Sequence, residues 1–191
     1  DIRLQLNVLT DASDNIQALQ EEISSETTVA NKLAAKLSSE RQKAAGKVKE
    51  IVEKALAAMD MPAAKFVVDI QSSKELNPYG MDIITFLFSA NNSLPLRPLA
   101  EVASGGEMSR VMLALKALTS RQTHLPTIVF DEIDTGVSGK VASSMAQIMS
   151  EMCKEAEQQV LAITHLPQIA AKADVHYHVY KEDVDGRTLT R

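Results

Sequence analysis

Apolar residues return every seven positions along the first third of the chain, at Ile16, Ile23, Ala30, Leu37, Ala44 and Ile51. A seven-residue repeat keeps one seam of an α-helix facing a partner helix and favours a left-handed supercoil. From Ile16 to Met59 there is no proline and Gly46 is the only glycine, so the spacing predicts helix throughout. A companion seam starts with Leu19 and Leu33 but is interrupted by Glu26, Glu40, Lys47 and Lys54. The pattern fits a weak or antiparallel coiled-coil arm. It leaves open a long amphipathic surface helix, or two helices broken near Glu26–Thr28. Past Lys47 the rhythm widens: Val48, Ile51, Val52, Ala55, Leu56 and Met59 recur at three and four residues, a face broad enough to dock on a globular body. Asp60-Met61-Pro62 ends the helix, because a residue before proline is pushed out of the helical region.

Beyond that point the periodicity changes. Lys65–Gln71 and Asp82–Phe88 are rich in Val, Ile and Phe and flank Asn77-Pro78-Tyr79-Gly80, a turn signal, so they predict two antiparallel strands. Asn91–Pro98, with two prolines, reads as a looser segment. Glu107–Ser120 and Lys140–Lys154 read as helices, and Pro167–Ala173 as a short one. Thr127–Phe130 and Val160–Thr164 are short continuous apolar runs, as expected of strands buried on both faces, and Val175–Lys181 reads as a final strand. Helices alternating with buried strands indicate an α/β layer.

The chain of 191 residues is 45% hydrophobic and 24% charged, so a packed core is available and wholesale disorder is excluded. Aromatics are only 4%, which leaves Leu, Ile, Val, Ala and Met to build the interior. The net charge of -5 rules out a basic nucleic-acid wrapper, although Lys32, Lys36, Arg41, Lys43, Lys47 and Lys49 make the arm locally basic, against Glu40 and Glu50. A solvated helix face explains those lysines better than phosphate binding. The scarcity of aromatics leaves no stacking platform for bases, so any DNA contact through this chain is expected at the backbone. One cysteine, Cys153, cannot form an intrachain disulfide, which fits a reducing compartment. No apolar run reaches eighteen residues, so no membrane span is expected. The chain starts at Asp1 and stops at Arg191 in an apparently strand-like stretch, which reads as a piece of a longer protein.

Three features carry candidate chemistry. Ser104-Gly105-Gly106-Glu107 stands just before a helix, where glycines admit close approach and free amides receive phosphate oxygens; taken alone, the tetrapeptide is better explained as a plain helix cap. Thr127–Glu132 is an apolar strand ending in two acids, Asp131 and Glu132, at the edge where α/β sheets bind ligands. The first acid suits Mg²⁺ and the second can orient water beside a terminal phosphate; two solvated loop acids remain the alternative. Val160–His165 is a second such strand, ending in His165, whose imidazole can reach a phosphate oxygen or serve only structure. His124 falls in a turn. His176 and His178 lie two apart without a nearby thiol, which disfavours a metal site. The three features follow in order, Ser104 to Asp131 in 27 residues and Asp131 to His165 in 34.

In that order they resemble the ATP-binding-cassette ATPases. Ser104–Glu107 resembles the signature motif and Ile128–Glu132 the Walker B strand with its catalytic glutamate. Ile133-Asp134-Thr135-Gly136 resembles the D-loop and His165 the switch histidine. A helical arm just upstream of the signature is the arrangement of the SMC-like branch. Phe86–Asn91, Pro95–Arg110, Phe130–Gly139 and Thr164–Ala171 are similar to segments of bacterial DNA repair proteins in that branch. Ala103 replaces the usual leucine and Glu107 the usual glutamine. A Walker A motif, G-x-x-x-x-G-K-[ST], is missing; Gly139-Lys140 is a decoy, followed by Val141.

The resemblance implies an α/β fold, an incomplete ABC-type ATPase head with a P-loop-type sheet and a long helical coiled-coil arm. The arm is expected over 1–59 and the C-terminal lobe of the head over 60–191. The implied activity is ATP hydrolysis in a DNA repair and recombination protein, with ATP and Mg²⁺ as cofactors. Two heads would sandwich two nucleotides. Ser104, Gly105, Gly106 and Glu107 would act in trans; Asp131 would support Mg²⁺; Glu132 would orient water; His165 would contact the γ-phosphate; Asp134 would help align the heads. The implied partners are DNA, a second copy of the head and a missing N-terminal half of the same protein, in the bacterial cytoplasm at the nucleoid. Other SMC-family chromosome or repair ATPases are the nearest alternative. A transporter nucleotide-binding domain would lack the heptad arm, and a non-enzymatic coiled-coil adaptor would lack the acid pair and histidine at two strand ends.

Overall fold

The computed structural model describes the backbone of residues 2–101, 105–123, 125–137, 139–155, 158–184 and 187–191, and the side chains of these except 2–14, 121, 155 and 184. Two compact units result, Asp1–Lys49 with Val67–Phe86, and Glu50–Phe66 with Leu87–Arg191.

Helix α1 (Ile2–Ala58) is unbroken, so Glu26–Thr28 is not a break. The Thr28 hydroxyl there donates to the Ser24 carbonyl at 2.9 Å, a bond made inside the helical turn. Ala58 is the last helical residue; Met61 N–H turns back to the Leu56 carbonyl at 3.0 Å, and Asp60 takes a left-handed φ of 65°. The two compact units divide α1 between Lys49 and Glu50. The packing gives the reason. Val52, Leu56 and Met59, one stripe at four- and three-residue spacing, are fully buried in the second unit. Upstream, Ile16, Leu19, Ile23 and Leu33 of the heptad seams are exposed.

In the first unit, strands β1 (Lys65–Asn77) and β2 (Gly80–Ser89) pair through the expected turn. Asn77 Oδ1 accepts the Tyr79 amide at 2.8 Å, and Gly80 holds a φ of 108° that a side chain would resist. The turn sits against α1. Arg41 Nη1 donates to Asp82 Oδ2 at 2.8 Å and Nη2 to the Tyr79 carbonyl at 2.8 Å. The Asp82 side chain is fully shielded, and the Arg41 guanidinium, followed by the Ser38 hydroxyl, holds its carboxyl below the usual carboxylate range. Arg41 is therefore tied into the fold, and it leaves the set of arm cations available to phosphate.

In the second unit, β2 continues to a short third strand, β3 (Arg97–Pro98), pairing Leu87 with Pro98 and Phe88 with Arg97 within the segment expected to be loose. A 3₁₀ turn (Leu99–Glu101) leads toward α2 (Gly105–Thr123), which buries Val111, Leu113 and Ala114. Strand β4 (Thr127–Asp131), α3 (Gly139–Glu155) and β5 (Gln159–Ile163) follow, with β4 and β5 parallel, as a strand–helix–strand crossover requires. Helix α3 presents Ala142, Met145, Ala146, Met149 and Met152, a single buried stripe, to α2, α4 (Pro167–Ala170) and β5.

Two expectations for the strands fail. The parallel strands are not buried on both faces: Val129, Leu161 and Ile163 are 56%, 44% and 56% exposed, while Phe130 is buried. Their continuous apolar runs call for a second covering layer that the described residues do not contribute. The final strand begins later than Val175. Val175, Tyr177 and Val179 are exposed, and the pairing starts where Tyr180 and Arg191 exchange backbone bonds, continuing into β6 (Lys181–Val184) and β7 (Arg187–Thr190).

Candidate functional site

The parallel register brings the distant motifs together. Asp131, the last residue of β4, lies opposite Ile163, the last of β5. Residues 131–137 and 164–166 therefore leave the sheet side by side at its carboxyl edge, where open α/β sheets place their ligands. The Glu132 amide crosses the gap to the Ile163 carbonyl at 3.2 Å.

Glu132 is the strained residue of this edge. Its φ of 47° is in the left-handed region, uncommon for a residue with a Cβ. Three bonds hold it there: the amide to Ile163, and the Glu132 carbonyl accepting from the Thr135 amide at 3.1 Å and the Thr135 hydroxyl at 2.9 Å. Strain that neighbours over-determine aims a side chain. The Asp131 and Glu132 side chains stand exposed. They edge a groove of about 310 Å³ between β4 and the first turns of α2, which Met108, Ser109, Met112 and Lys116 also line.

Gly105, Gly106 and Glu107 form the first turn of α2; Ser104 lies outside the described residues, as does His124. Gly106 is placed by contact. A Cβ on it would meet the Gly136 carbonyl oxygen at 3.3 Å and that of Thr135 at 3.6 Å, so the glycine turn approaches the loop after the acid pair within the same chain. Gly136 itself has a φ of 73°. Arg110, one turn into α2, donates through Nε to the Gly106 carbonyl at 3.1 Å and through Nη1 to the Met59 carbonyl at 3.4 Å, tying the glycine turn to the end of α1.

Asp134 and His165 meet at the strand ends. The Asp134 side chain is fully buried and accepts on Oδ2 from the Thr164 hydroxyl, whose oxygen accepts the Leu166 amide at 3.0 Å. Asp134 Oδ1 lies 3.6 Å from His165 Nδ1, on a side chain that is 68% exposed. The sequence pointed to Asp134 and His165 separately. Thr164, which binds one and precedes the other, and Arg110 had no assigned part. The only available signal for Thr164 was its place between a buried run and a histidine.

Mg²⁺ takes oxygen ligands, with one or two carboxylates completed by phosphate and water. Asp131 fits that donor set, as an exposed carboxylate at the ligand edge of a parallel sheet. Among the described residues no three His, Cys, Asp or Glu form a preformed cage, the pair His176 and His178 included. Nor is any described helix long and apolar enough to cross a membrane.

No family model matches the chain. Among curated proteins, the DNA repair protein RecN of Bacillus subtilis is 36% identical over 205 aligned residues, which cover all of this chain and 35% of that protein. RecN of Treponema pallidum is 42% identical, covering 81% of this chain and 28% of that protein. The chain thus spans about a third of the length of the relatives it matches. Among solved structures, the Smc head domain of Pyrococcus furiosus, with an extended coiled coil and bound to the C-terminal domain of ScpA, superposes with a TM-score of 0.57 at 20% identity, covering 75% of this chain and 34% of that one. Such a likeness speaks to the fold alone.

Proposed function

We propose, from the chain's membership of the RecN proteins, that it supplies the hydrolytic edge of an SMC-like ATP-binding-cassette ATPase head in a protein of DNA double-strand break repair. The observation that carries the reading is Glu132, held in a left-handed conformation beside Asp131 at the carboxyl end of a parallel sheet.

Phosphoryl transfer to water needs little covalent help from a protein; it needs the water in line and the growing charge compensated. Glu132 accepts a hydrogen bond from the attacking water and so aims its lone pair at the γ-phosphorus. Asp131 would hold Mg²⁺, which when bound would offset charge on the phosphate oxygens. His165 contacts the γ-phosphate from the neighbouring strand end. Ser104, Gly105, Gly106 and Glu107 offer hydroxyl, backbone amides and helix N-terminus to a nucleotide held by a second copy of the head. The loop through Asp134 helps to align the two heads, a reading supported by the approach of its residues Thr135 and Gly136 to Gly106 of the same chain. Nucleotide shared between two heads joins them, and hydrolysis releases them.

The nucleotide-cradling Walker A motif belongs, on this reading, to an N-terminal part of the protein. That part is also the natural cover for the exposed sheet residues Val129, Leu161 and Ile163. The 191-residue chain alone is then inactive, and steady turnover by the purified segment would refute this. The helical arm carries the open–close cycle to DNA, contacted through its backbone, in the bacterial cytoplasm at the nucleoid.

Glu132→Gln in the whole protein tests the central role. It keeps the shape of the side chain and removes the strong acceptor. Expected are ATP binding near the wild-type level, turnover lowered about 10²–10⁴-fold, and closed head dimers that accumulate on gel filtration. Wild-type hydrolysis by this variant would remove Glu132 from the mechanism.

A further inference from the structure

The Asp134 carboxyl group is buried, with one oxygen engaged and one not. Oδ2 accepts from the Thr164 hydroxyl. Oδ1 is shielded from solvent and makes no hydrogen bond. A buried acceptor without a partner costs free energy, and such groups in folded proteins ask for an explanation. The His165 imidazole supplies one, with Nδ1 3.6 Å from Oδ1. That is beyond hydrogen-bond length by roughly half an ångström. A small rotation of the exposed imidazole about its own χ angles closes that gap.

We propose that Asp134 is a positioning residue for His165 of the same chain. Its free carboxylate oxygen receives the Nδ1–H of the imidazole, turning Nε2 outward to the nucleotide, while Thr164 fixes the carboxylate from its other side. The inference rests on the reading of His165 as the γ-phosphate contact. It gives the Asp134 side chain a task inside one head, whereas the resemblance alone points it across the head interface. A fully buried carboxylate cannot reach a second molecule without leaving Thr164.

The fold supports the arrangement. Asp131 and Ile163 are opposite in register, so position 134 after one strand and positions 164 and 165 after the next come to one spot. The Glu132 amide on the Ile163 carbonyl and the Leu166 amide on Thr164 Oγ1 pin both loops independently of the imidazole. The ring is thus the mobile partner, 68% exposed and hinged only at its own χ angles, and the carboxylate is the fixed one. With Nδ1–H committed to Asp134, the neutral ring bears its lone pair on Nε2. To donate from Nε2 to a phosphate oxygen it takes a second proton from solvent, and the resulting imidazolium lies between two anions, Asp134 and the phosphate. A histidine whose inner nitrogen is held by a carboxylate has its orientation and tautomer set before the ligand arrives.

The test uses the whole protein with ¹⁵N-labelled histidine. In the wild type without nucleotide, His165, identified by its loss in His165→Ala, is expected as the Nδ1–H tautomer. An Nε2–H tautomer there would overturn the proposal, whatever the variants do. In Asp134→Asn the Nδ1–H signal is expected to give way to the Nε2–H tautomer, and turnover to fall about 10–100-fold, the range for outer partners that orient a functional histidine, with KM for ATP within about threefold. His165→Ala and the double variant should lose no less than Asp134→Asn, and the two losses should not multiply. Losses that multiply, or Asp134→Asn turning over at the wild-type rate while His165→Ala is impaired, would refute the positioning role alone. Wild-type turnover by His165→Ala would instead refute the γ-phosphate reading beneath it.

Discussion

Alanine at Gly106 should separate a packing role from a chemical one, provided alanine at Gly105 is measured beside it. A Cβ on Gly106 would stand 3.3 Å from the Gly136 carbonyl oxygen, 3.6 Å from that of Thr135 and 3.7 Å from the Gly136 carbonyl carbon. Contact at 3.3 Å obliges the neighbour to move by a few tenths of an ångström. That neighbour is backbone, in a turn closed by the Thr135 amide on Glu132 and the Val137 amide on Asp134, with Gly136 at a φ of 73°. Forcing an extra carbon into such a place costs about 1–3 kcal/mol. Alanine also favours the helix over glycine by about 0.5–1 kcal/mol. At Gly105, no described atom lies within 4 Å of the added carbon. Both substitutions stand in the first turn of α2, so most of the helix gain cancels between them. The difference between the variants isolates the contact: Gly106→Ala should be about 1–3 kcal/mol less stable than Gly105→Ala. Urea unfolding of the whole protein, with m-values unchanged, reads this as a shift in midpoint. If both glycines also present backbone to a nucleotide, turnover should drop in both variants even though their stabilities move apart. Equal stabilities would mean that Gly106 does not bear on the loop after the acid pair.

Other outcomes follow from single contacts. Because Arg41 and then Ser38 depress the folded pKa of Asp82, the stability this group adds is fully present above the unfolded value of about 3.9 and is lost as pH falls through the lower folded value. Asp82→Asn should therefore flatten the fall of helix stability below about pH 4 in melts followed by circular dichroism; an unchanged acid limb would refute the pairing. Arg110→Ala removes donors from the Gly106 and Met59 carbonyls and should cost about 1–3 kcal/mol in denaturant unfolding, with a loss under 0.5 kcal/mol, the usual limit for a surface change, counting against the tie. Reversing the charge of Lys32, Lys36, Lys47 and Lys49 should change the slope of log DNA affinity against log salt by less than about one, as for a solvated helix face, and a much larger change would place the DNA on the arm.

The helices and the motif positions were legible along the chain because their signals are local. Periodicity located α2 and α3 to within a few residues and the end of α1 to within one, though α1 begins fourteen residues before the repeat that announced it, and a turn of Asn, Pro, Tyr and Gly located the β1–β2 hairpin. Two apolar runs ending in Asp131-Glu132 and in His165 mark the candidate edge in the sequence itself. What failed were statements about neighbours. An apolar run states that a strand needs cover, not that the same stretch of chain provides it, and Val129, Leu161 and Ile163 are exposed for that reason. Arg41 counted among six arm cations until its contact with Asp82, 41 residues away, removed it.

Local propensity, caps and periodicity act over a few residues, and they determined which segments are helix or strand and which residues are candidates for phosphate chemistry. Register acts across the sheet, and only the tertiary structure could decide it. The parallel pairing that sets Asp131 opposite Ile163 also brings Asp134, Thr164 and His165 to one point, buries one carboxylate and leaves another exposed in a strained turn. Burial and distance decide which of several like side chains is structural and which meets a ligand, and neither is a property of one position in the sequence.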